Sequence, residues 1–585
     1  MAEVSTPDSR PGVMKFAITT IVALLLSAAA HAANFDPEWG RDGMVVSSVA
    51  PAAEVGQKVL EQGGNAFDAA VAMSFAASVA HPFSSGLGGG MFAVTFEAET
   101  GSLRSLDARE MAPASASAKF FEKHPQTIRS GPRSVGVPGL VQGLWAVHKE
   151  HGSLPWEDLV EPAIALAEQG VRVGTWHHMV VSWVEDQLDE YPETQRIQTV
   201  EGKSPPLGWM IKQPELAETL RLVQARGEKA LALGPIAAKI EAATGGVVTQ
   251  LDLARYQPLW REPVRGNYRG YEIVSMPPPS SGGVLLAQML NILERYDLAA
   301  MGKDSSAFIH LVASAMKVAF EDRAQHLGDS DYWDVPVERL VSEAYADQQA
   351  VRIRPDGQPT PISDTPQAAD DAGTTQISVM DRHGNAVSMT QTINTVFGSK
   401  ITVPGTGIVL NNEMDDFSIG PELPNLWEAV GSAANSVQAF KRPLSSMTPT
   451  IALKDGRPVM VVGSPMGTSI ISTVLHTLIN VIDFGFDAQR AVHAPRFHHQ
   501  WKPDRLTLEP EFPVEVREKL EALGHELRER PFFGAAQLIV FDPENCLYWG
   551  GADGRRDSAA AGANIGAVPK PSEARACDTA ARAAQ

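Results

Sequence analysis

Gly373-Thr374-Thr375-Gln376-Ile377-Ser378-Val379-Met380-Asp381-Arg382-His383-Gly384-Asn385-Ala386-Val387-Ser388-Met389-Thr390-Gln391-Thr392-Ile393-Asn394 is the stretch on which the fold turns. Gln376 to Met380 alternates apolar and polar residues, Asp381 to Asn385 reads as a turn, and Ala386 to Asn394 alternates again. Period-two patterning on both sides of a Gly-containing turn predicts a β-hairpin. Thr374 stands at its head, behind Gly373. A threonine hydroxyl is a weak nucleophile and needs a base; one economical base is its own α-amine, freed by cutting the preceding bond. Such an amine titrates near ~7.7–8.0, so a large fraction is neutral at neutral pH. Glycine offers little steric resistance to a strained, attackable carbonyl. On these residues alone two readings stand: a nucleophile at a self-cleaving bond, or simply the start of a strand.

Upstream, Arg352 to Ala372 is polar, Pro-rich and short of apolar residues, which predicts an exposed connection. It reads either as an inter-domain linker or as a segment ending at a processing site. Before it the pattern is largely helical. Helices are expected at Ala52 to Gln62 and Ala66 to Val79, broken by Gly63-Gly64-Asn65. The second is apolar nearly all round and so should be buried. A glycine-rich turn, Gly86 to Gly90, leads into a strand at Met91 to Phe96. Leu140 to Gln250 is mainly helical by pattern, and helices are expected at Leu285 to Tyr296, after the MPPPSSGGV loop from Met276, and at Ser305 to His326. Downstream of the hairpin, strands are expected at Gly407 to Leu410, Thr450 to Lys454, Val459 to Gly463 and Gln537 to Phe541. Helices are expected at Thr468 to Phe484 and Val514 to Leu523, and the Ala-rich tail from Ala559 is expected to fray.

Phe16 to Ala30 is apolar or small, preceded by Lys15 and followed by the small-x-small Ala30-His31-Ala32. That is the grammar of a secretory signal over residues 1–32, too short for a comfortable membrane span. An uncleaved anchor is the alternative, and Met14 is a possible second start. The expectation is an exported protein without stable membrane insertion, periplasmic if the source is Gram-negative and secreted otherwise. The 585 residues carry a net charge of −20, which argues against nucleic acid as a partner. Two cysteines, Cys546 and Cys577, make no disulfide framework and lack zinc-ligand spacing. His177-His178 and His498-His499 are adjacent pairs without further ligand spacing, so packing is expected rather than metal binding. Gly463-Ser464-Pro465-Met466-Gly467 is no nucleophile elbow, because its Ser stands second.

The chain resembles the γ-glutamyltransferase family of N-terminal-nucleophile hydrolases from about Met44 to about Ala560. The resemblance rests on SSGLGGG at Ser84, LDARE at Leu106, SVGVPG at Ser134, PPPSSGG at Pro277, the strand from Thr374, LNNEMDDFS at Leu410, KRPLSSMTPT at Lys441, GSPMG at Gly463 and APRFHHQW at Ala494. It implies an α+β fold, a four-layer αββα sandwich. It also implies autocleavage of one precursor into a large subunit, 33–373, and a small catalytic subunit, 374–585, which stay together as a heterodimer. The implied activity is γ-glutamyl hydrolysis and transpeptidation with glutathione or another γ-glutamyl donor, and with water, an amino acid or a dipeptide as acceptor. No cofactor and no metal are implied.

Residue by residue, the resemblance gives Thr374 the nucleophile's part and Thr392 the supporting hydroxyl. Asn394, Glu413 and Asp416 match ligands of the donor's α-ammonium; Arg109, Ser445 and Ser446 match ligands of its α-carboxylate, for which a guanidinium fork is well shaped. Without the resemblance, Glu413 and Asp416 read as a solvated loop, Arg109 as a surface pair and Ser445-Ser446 as a turn. Thr392 and Asn394, two apart on one strand, are expected to share a face. The oxyanion donors match Met466 and Gly467, where the family has Gly-Gly. A Met backbone supplies an N–H equally well, but a positive φ is costly for it and its side chain stands to narrow the pocket. Trp427 stands where some relatives carry Tyr in a loop over the pocket, and Pro421 to Val437 is long enough for a lid. A cephalosporin-acylase type amidase and an unprocessed binding protein are the alternative functions.

Overall fold

The computed structural model describes residues 36–354, 373–420, 425 and 428–565. Residues 1–32, where a secretory signal is expected, residues 355–372 of the Pro-rich stretch, Trp427 and Cys577 lie outside the described residues.

The hairpin forms over Thr375–Asp381 and Ala386–Thr392, with Thr375 opposite Gln391 and Met380 opposite Ala386. Asp381 shapes its turn by accepting the amides of His383 at 2.8 Å and Asn385 at 3.1 Å. The hairpin is central in a seven-stranded antiparallel sheet ordered Ala559–Ala563, Gly43–Ser47, Thr375–Asp381, Ala386–Thr392, Gly90–Glu97, Ser102–Ala108, Leu259–Arg261. Strands from before and after Gly373 therefore interleave in one ladder. A second seven-stranded sheet runs Glu38–Gly40, Leu547–Ala552, Gln537–Asp542, Arg457–Gly463, Thr450–Lys454, Tyr271–Ser275, Val264–Tyr268.

Helices Ala50–Glu61 and Ala66–Ala80 cover the outer face of the first sheet; Gly282–Leu293, Ser306–His326 and Ser469–Ile482 cover the second. The result is the expected αββα sandwich. Ala66–Ala80 is buried along its whole length, and Asn65 and Asp68 close its start as a capping box.

Alternation in the hairpin does not separate core from solvent, because both parities are buried. Ile377, Val379, Val387 and Met389 face the helices. The polar parity is hydrogen-bonded to the other sheet: Ser378 Oγ donates to the Gln537 carbonyl at 3.0 Å and Ser388 Oγ to that of Val462 at 2.9 Å. Each buried hydroxyl thus keeps a partner, as burial demands.

Two expectations fail. Gly407 to Leu410 is no strand: it makes only single bridges, at Val409 and Leu410, and Gly405 and Gly407 take positive φ that breaks the extended run. The start of the tail is not frayed, because Ala559–Ala563 pairs antiparallel with Gly43–Ser47 as the first sheet's edge. Alanine and glycine are weak strand formers. Space selects them here, since a Cβ on Gly562 would lie 2.0 Å from the Trp39 carbonyl. The helix expected from Leu285 starts earlier, at Gly282.

Candidate active site

Thr374 sits at the head of the hairpin's first strand, almost fully buried. Its N–H donates to the Ser84 carbonyl at 2.9 Å, and its carbonyl accepts from Arg556 Nη1 at 2.8 Å. Its Oγ1 lies 2.9 Å from Thr392 Oγ1, which also accepts the Asn394 N–H at 2.8 Å. Thr374 takes φ +89°, a conformation a β-branched residue avoids; such strain costs about 1–3 kcal/mol and persists only where neighbours enforce it. The neighbours are identifiable. A Cβ on Gly373 would lie 1.9 Å from the Asn394 carbonyl oxygen, so only glycine passes this point. A Cβ on Gly89 would likewise lie 2.0 Å from the Thr392 carbonyl oxygen, so the absence of a side chain lets the glycine-rich turn pack on the hairpin backbone.

Gly373→Ala must therefore move the bond ahead of Thr374. A misplacement of about 1 Å costs a positioned reaction on the order of 10²-fold. We expect any cleavage at Gly373-Thr374 to slow by that order while the fold is kept, measured as the rate at which the full-length band divides on a denaturing gel. Cleavage at the unaltered rate would refute this.

Thr374 opens on a small cavity whose wall includes Arg109, Thr392, Asn394, Glu413, Asp416, Ser445, Ser446 and Gly467. Nine of the ten sequence-matched residues thus converge on one space, and Met466 is not part of its wall. Asn394 does so in a different way from that expected. The strand ends at Thr392, and Asn394 reaches the cavity because it takes φ +74°, not through two-residue alternation. Its Nδ2 donates to the Asn412 carbonyl at 3.1 Å.

Met466 and Gly467 lie between strand Arg457–Gly463 and helix Ser469–Ile482. Met466 adopts φ +101° and Gly467 φ +52°, so methionine does take the positive φ that seemed costly for it. Its thioether explains how. Met466 Sδ accepts the Gly534 N–H at 3.1 Å, and Ser469 Oγ donates to the Met466 carbonyl at 2.7 Å. The buried side chain is held toward Gly534, and Gly467, Thr468 and Ile470 form the wall there.

Arg109 follows strand Ser102–Ala108 and is fixed by its N–H to Asp107 Oδ1 at 3.0 Å. Its buried guanidinium pairs with Glu413 and Asp416 and lies 3.7 Å from Glu110 Oε2. Glu413 and Asp416 come from a single 3-10 turn. Three carboxyls around one fork cannot all ionise cheaply. Burial, opposed by Arg109, holds Glu110 and Glu413 above the ordinary carboxylate range; Glu110 pushes Glu413 further up, whereas the hydrogen bond from Glu413 pulls Glu110 down. Ser445 is held by its N–H to the Pro279 carbonyl at 2.8 Å, which is how the PPPSSGG loop comes to back the site.

Sequence reading gave no role to Ser84, Glu110, Arg323 or Arg556. Glu110 and Ser84 lay within quoted motifs; Arg556, in the run Gly554-Arg555-Arg556, carried no signal. The histidine pairs diverge. His498 faces Ser472 at 2.9 Å and His499 faces Asp504 at 3.1 Å, while His177 packs on Phe83 and His178 meets the Pro205 carbonyl at 2.8 Å. Among the described residues no group of three or more His, Cys, Asp or Glu side chains is placed to hold a metal ion, and no helix is long and apolar enough to cross a membrane.

A family model for gamma-glutamyltranspeptidase matches residues 52–563. The chain is 39% identical over 535 residues to the glutathione hydrolase proenzyme of Escherichia coli, covering 89% of this chain and 92% of that one. It is 37% identical over 528 residues to the acylase ACY 1 proenzyme of a Pseudomonas species, strain SE83, covering 87% and 92%. The solved cephalosporin acylase of Bacillus halodurans matches with a TM-score of 0.82 at 28% identity, over 96% of this chain and 99% of that one. The four-layer fold is that of the N-terminal-nucleophile hydrolases. The chain belongs to the gamma-glutamyltranspeptidase family, which makes it a hydrolase or transferase.

Proposed function

We propose that this protein is an exported γ-glutamyl hydrolase and transpeptidase, made as a precursor that cuts itself between Gly373 and Thr374. The observation that carries the reading is a strained Thr374, its Oγ1 2.9 Å from Thr392, opening on a cavity that also holds the Arg109, Glu413 and Asp416 cluster. In maturation Thr374 Oγ attacks the Gly373 carbonyl, and the C–N bond breaks as the Thr374 nitrogen takes up the proton. Water then hydrolyses the ester, releasing the Gly373 carboxylate and the Thr374 amine. The large subunit, 33–373, and the small one, 374–585, remain a heterodimer because their strands interleave in one sheet.

In turnover the Thr374 amine takes the hydroxyl proton as Oγ attacks the donor's γ-carbonyl. The Met466 and Gly467 N–H groups hold the oxyanion, a contribution on the order of 10²–10³ in rate per donor. The leaving amine departs with the proton, and water or an acceptor amine takes the acyl group from the threonine ester. Asn394, Glu413 and Asp416 hold the α-ammonium; Arg109, Ser445 and Ser446 hold the α-carboxylate. Glutathione is the expected donor, and no cofactor enters.

The likeness to two acylases supports one rival, an amidase for dicarboxylic acyl groups. Such an enzyme needs no carboxylates for an ammonium, and this cavity has two beside Asn394. The purified protein should release glutamate from glutathione at least about tenfold faster than it cleaves a glutaryl amide, the discrimination expected of charged contacts. The reverse order would decide for the acylase reading.

A further inference from the structure

Arg323 lies near the end of helix Ser306–His326 and is 6% exposed. Its side chain reaches the donor cavity wall. Its Nε donates to Ser281 Oγ at 3.1 Å and its Nη2 to Ser446 Oγ at 3.3 Å. No carboxylate of the described residues lies within ion-pair distance of it. Burial pulls its guanidinium down to about 10, with Arg109 pushing the same way and Asp416 opposing. Arg109, by contrast, is already occupied by Glu413 and Asp416.

A buried cation held only by hydroxyls is costly, and an anion brought beside it relieves that cost. The two serines are also informative. Ser281 Oγ donates to the Ser445 carbonyl at 2.8 Å, so Arg323 braces the Ser445-Ser446 backbone from behind. Ser446 Oγ accepts from Arg323, which leaves its own O–H for an acceptor in the cavity. One guanidinium therefore orients a hydroxyl toward the cavity and adds positive charge that is not ion-paired to any carboxylate of the described residues.

We propose that Arg323 is a second cation of the donor's carboxylate subsite, a specificity-determining residue that selects acyl groups carrying an α-carboxylate. The proposal rests on the γ-glutamyl reading of the cavity. Arg109 then balances Glu413 and Asp416 as much as it meets the ligand, and Arg323 with Ser446 supplies the selective charge.

The test compares Arg323→Gln and Arg323→Lys with the unaltered protein after each has matured into two chains. Three anilides serve as donors: γ-glutamyl, glutaryl (no ammonium) and 4-aminobutyryl (no carboxylate). Arg323→Gln is expected to lower kcat/KM for γ-glutamyl and glutaryl anilides by roughly 10- to 100-fold, mainly through KM, as loss of a charged hydrogen bond does. The 4-aminobutyryl anilide should change by less than about twofold on the same grounds, and Arg323→Lys should recover part of the loss. Equal losses on all three donors, or none on the γ-glutamyl anilide, would overturn the proposal. If Arg323→Gln does not mature, the lysine variant and its selectivity across the donors decide. Should the unaltered protein prefer the glutaryl anilide, the γ-glutamyl reading fails by itself. The glutaryl and butyryl anilides then put the same question to Arg323.

Discussion

Replacing Thr374 by alanine is expected to leave one uncut chain with no measurable glutathione hydrolysis, a fall of at least about 10⁴-fold, the scale seen when a covalent nucleophile is deleted. Both steps assigned to Oγ vanish together, because the same atom attacks first Gly373 and then the donor. The fold should survive. The side chain's described hydrogen bond is to Thr392 Oγ1, and the backbone bonds to Ser84 and Arg556 need no hydroxyl. Thr374→Ser keeps Oγ and should still mature, more slowly. Intact mass and N-terminal sequencing check both variants. A Thr374→Ala chain that still divides ahead of residue 374 would remove the nucleophile assignment, since the cut would then need no Thr374 Oγ.

Replacing Arg109 by glutamine is expected to damage stability as well as donor use. Removing one partner from a buried ionic cluster leaves charge uncompensated and costs about 3–5 kcal/mol. Here Glu413, Asp416 and Glu110 lose their common cation. The sign of the pH dependence follows. Burial already raises Glu110 and Glu413, and Arg109 is what opposes it. Without Arg109 their folded-state pKa values rise further above the unfolded ones, so the folded chain binds more protons than the unfolded chain. Stability must then fall as pH rises through those raised values. The melting point of Arg109→Gln should lie below that of the unaltered protein by several degrees, with a wider gap at pH 8 than at pH 5.5. A gap that narrows with rising pH would mean that the carboxyls are not held up by burial.

Several parts of this protein were legible because they depend on neighbours in sequence. Alternation around Asp381 to Asn385 located the hairpin, and the Ala-rich segment from Ala66, apolar nearly all round, identified a helix with no solvent face. Glycine spacing marked the turn that packs on the hairpin. Other parts depend on contacts hundreds of residues apart. Ala559–Ala563 reads as a weak tail, yet it is an edge strand because Gly43–Ser47 offers it a ladder and Trp39 leaves room only for small residues. Met466 reads as an awkward substitute for glycine, yet its positive φ comes with a hydrogen bond that its sulfur accepts from the Gly534 N–H, 68 residues on.

The amino-acid order by itself therefore determined the hairpin, the buried helix and the Gly373-Thr374 bond as a point of interest, because local pattern is written in short spacings. The layered fold and the ten residues matched to the site came from the chain's resemblance to a family, since by pattern alone Glu413, Asp416, Arg109 and Ser445-Ser446 read as loop, surface and turn. Only the tertiary structure decided that Arg109 is shared by Glu413 and Asp416, that Arg556 holds the Thr374 carbonyl, and that Arg323 stands behind Ser446 with no carboxylate of the described residues in ion-pair reach. Burial and ion pairing are properties of groups brought together in space, and no spacing along the chain encodes how a buried charge is balanced.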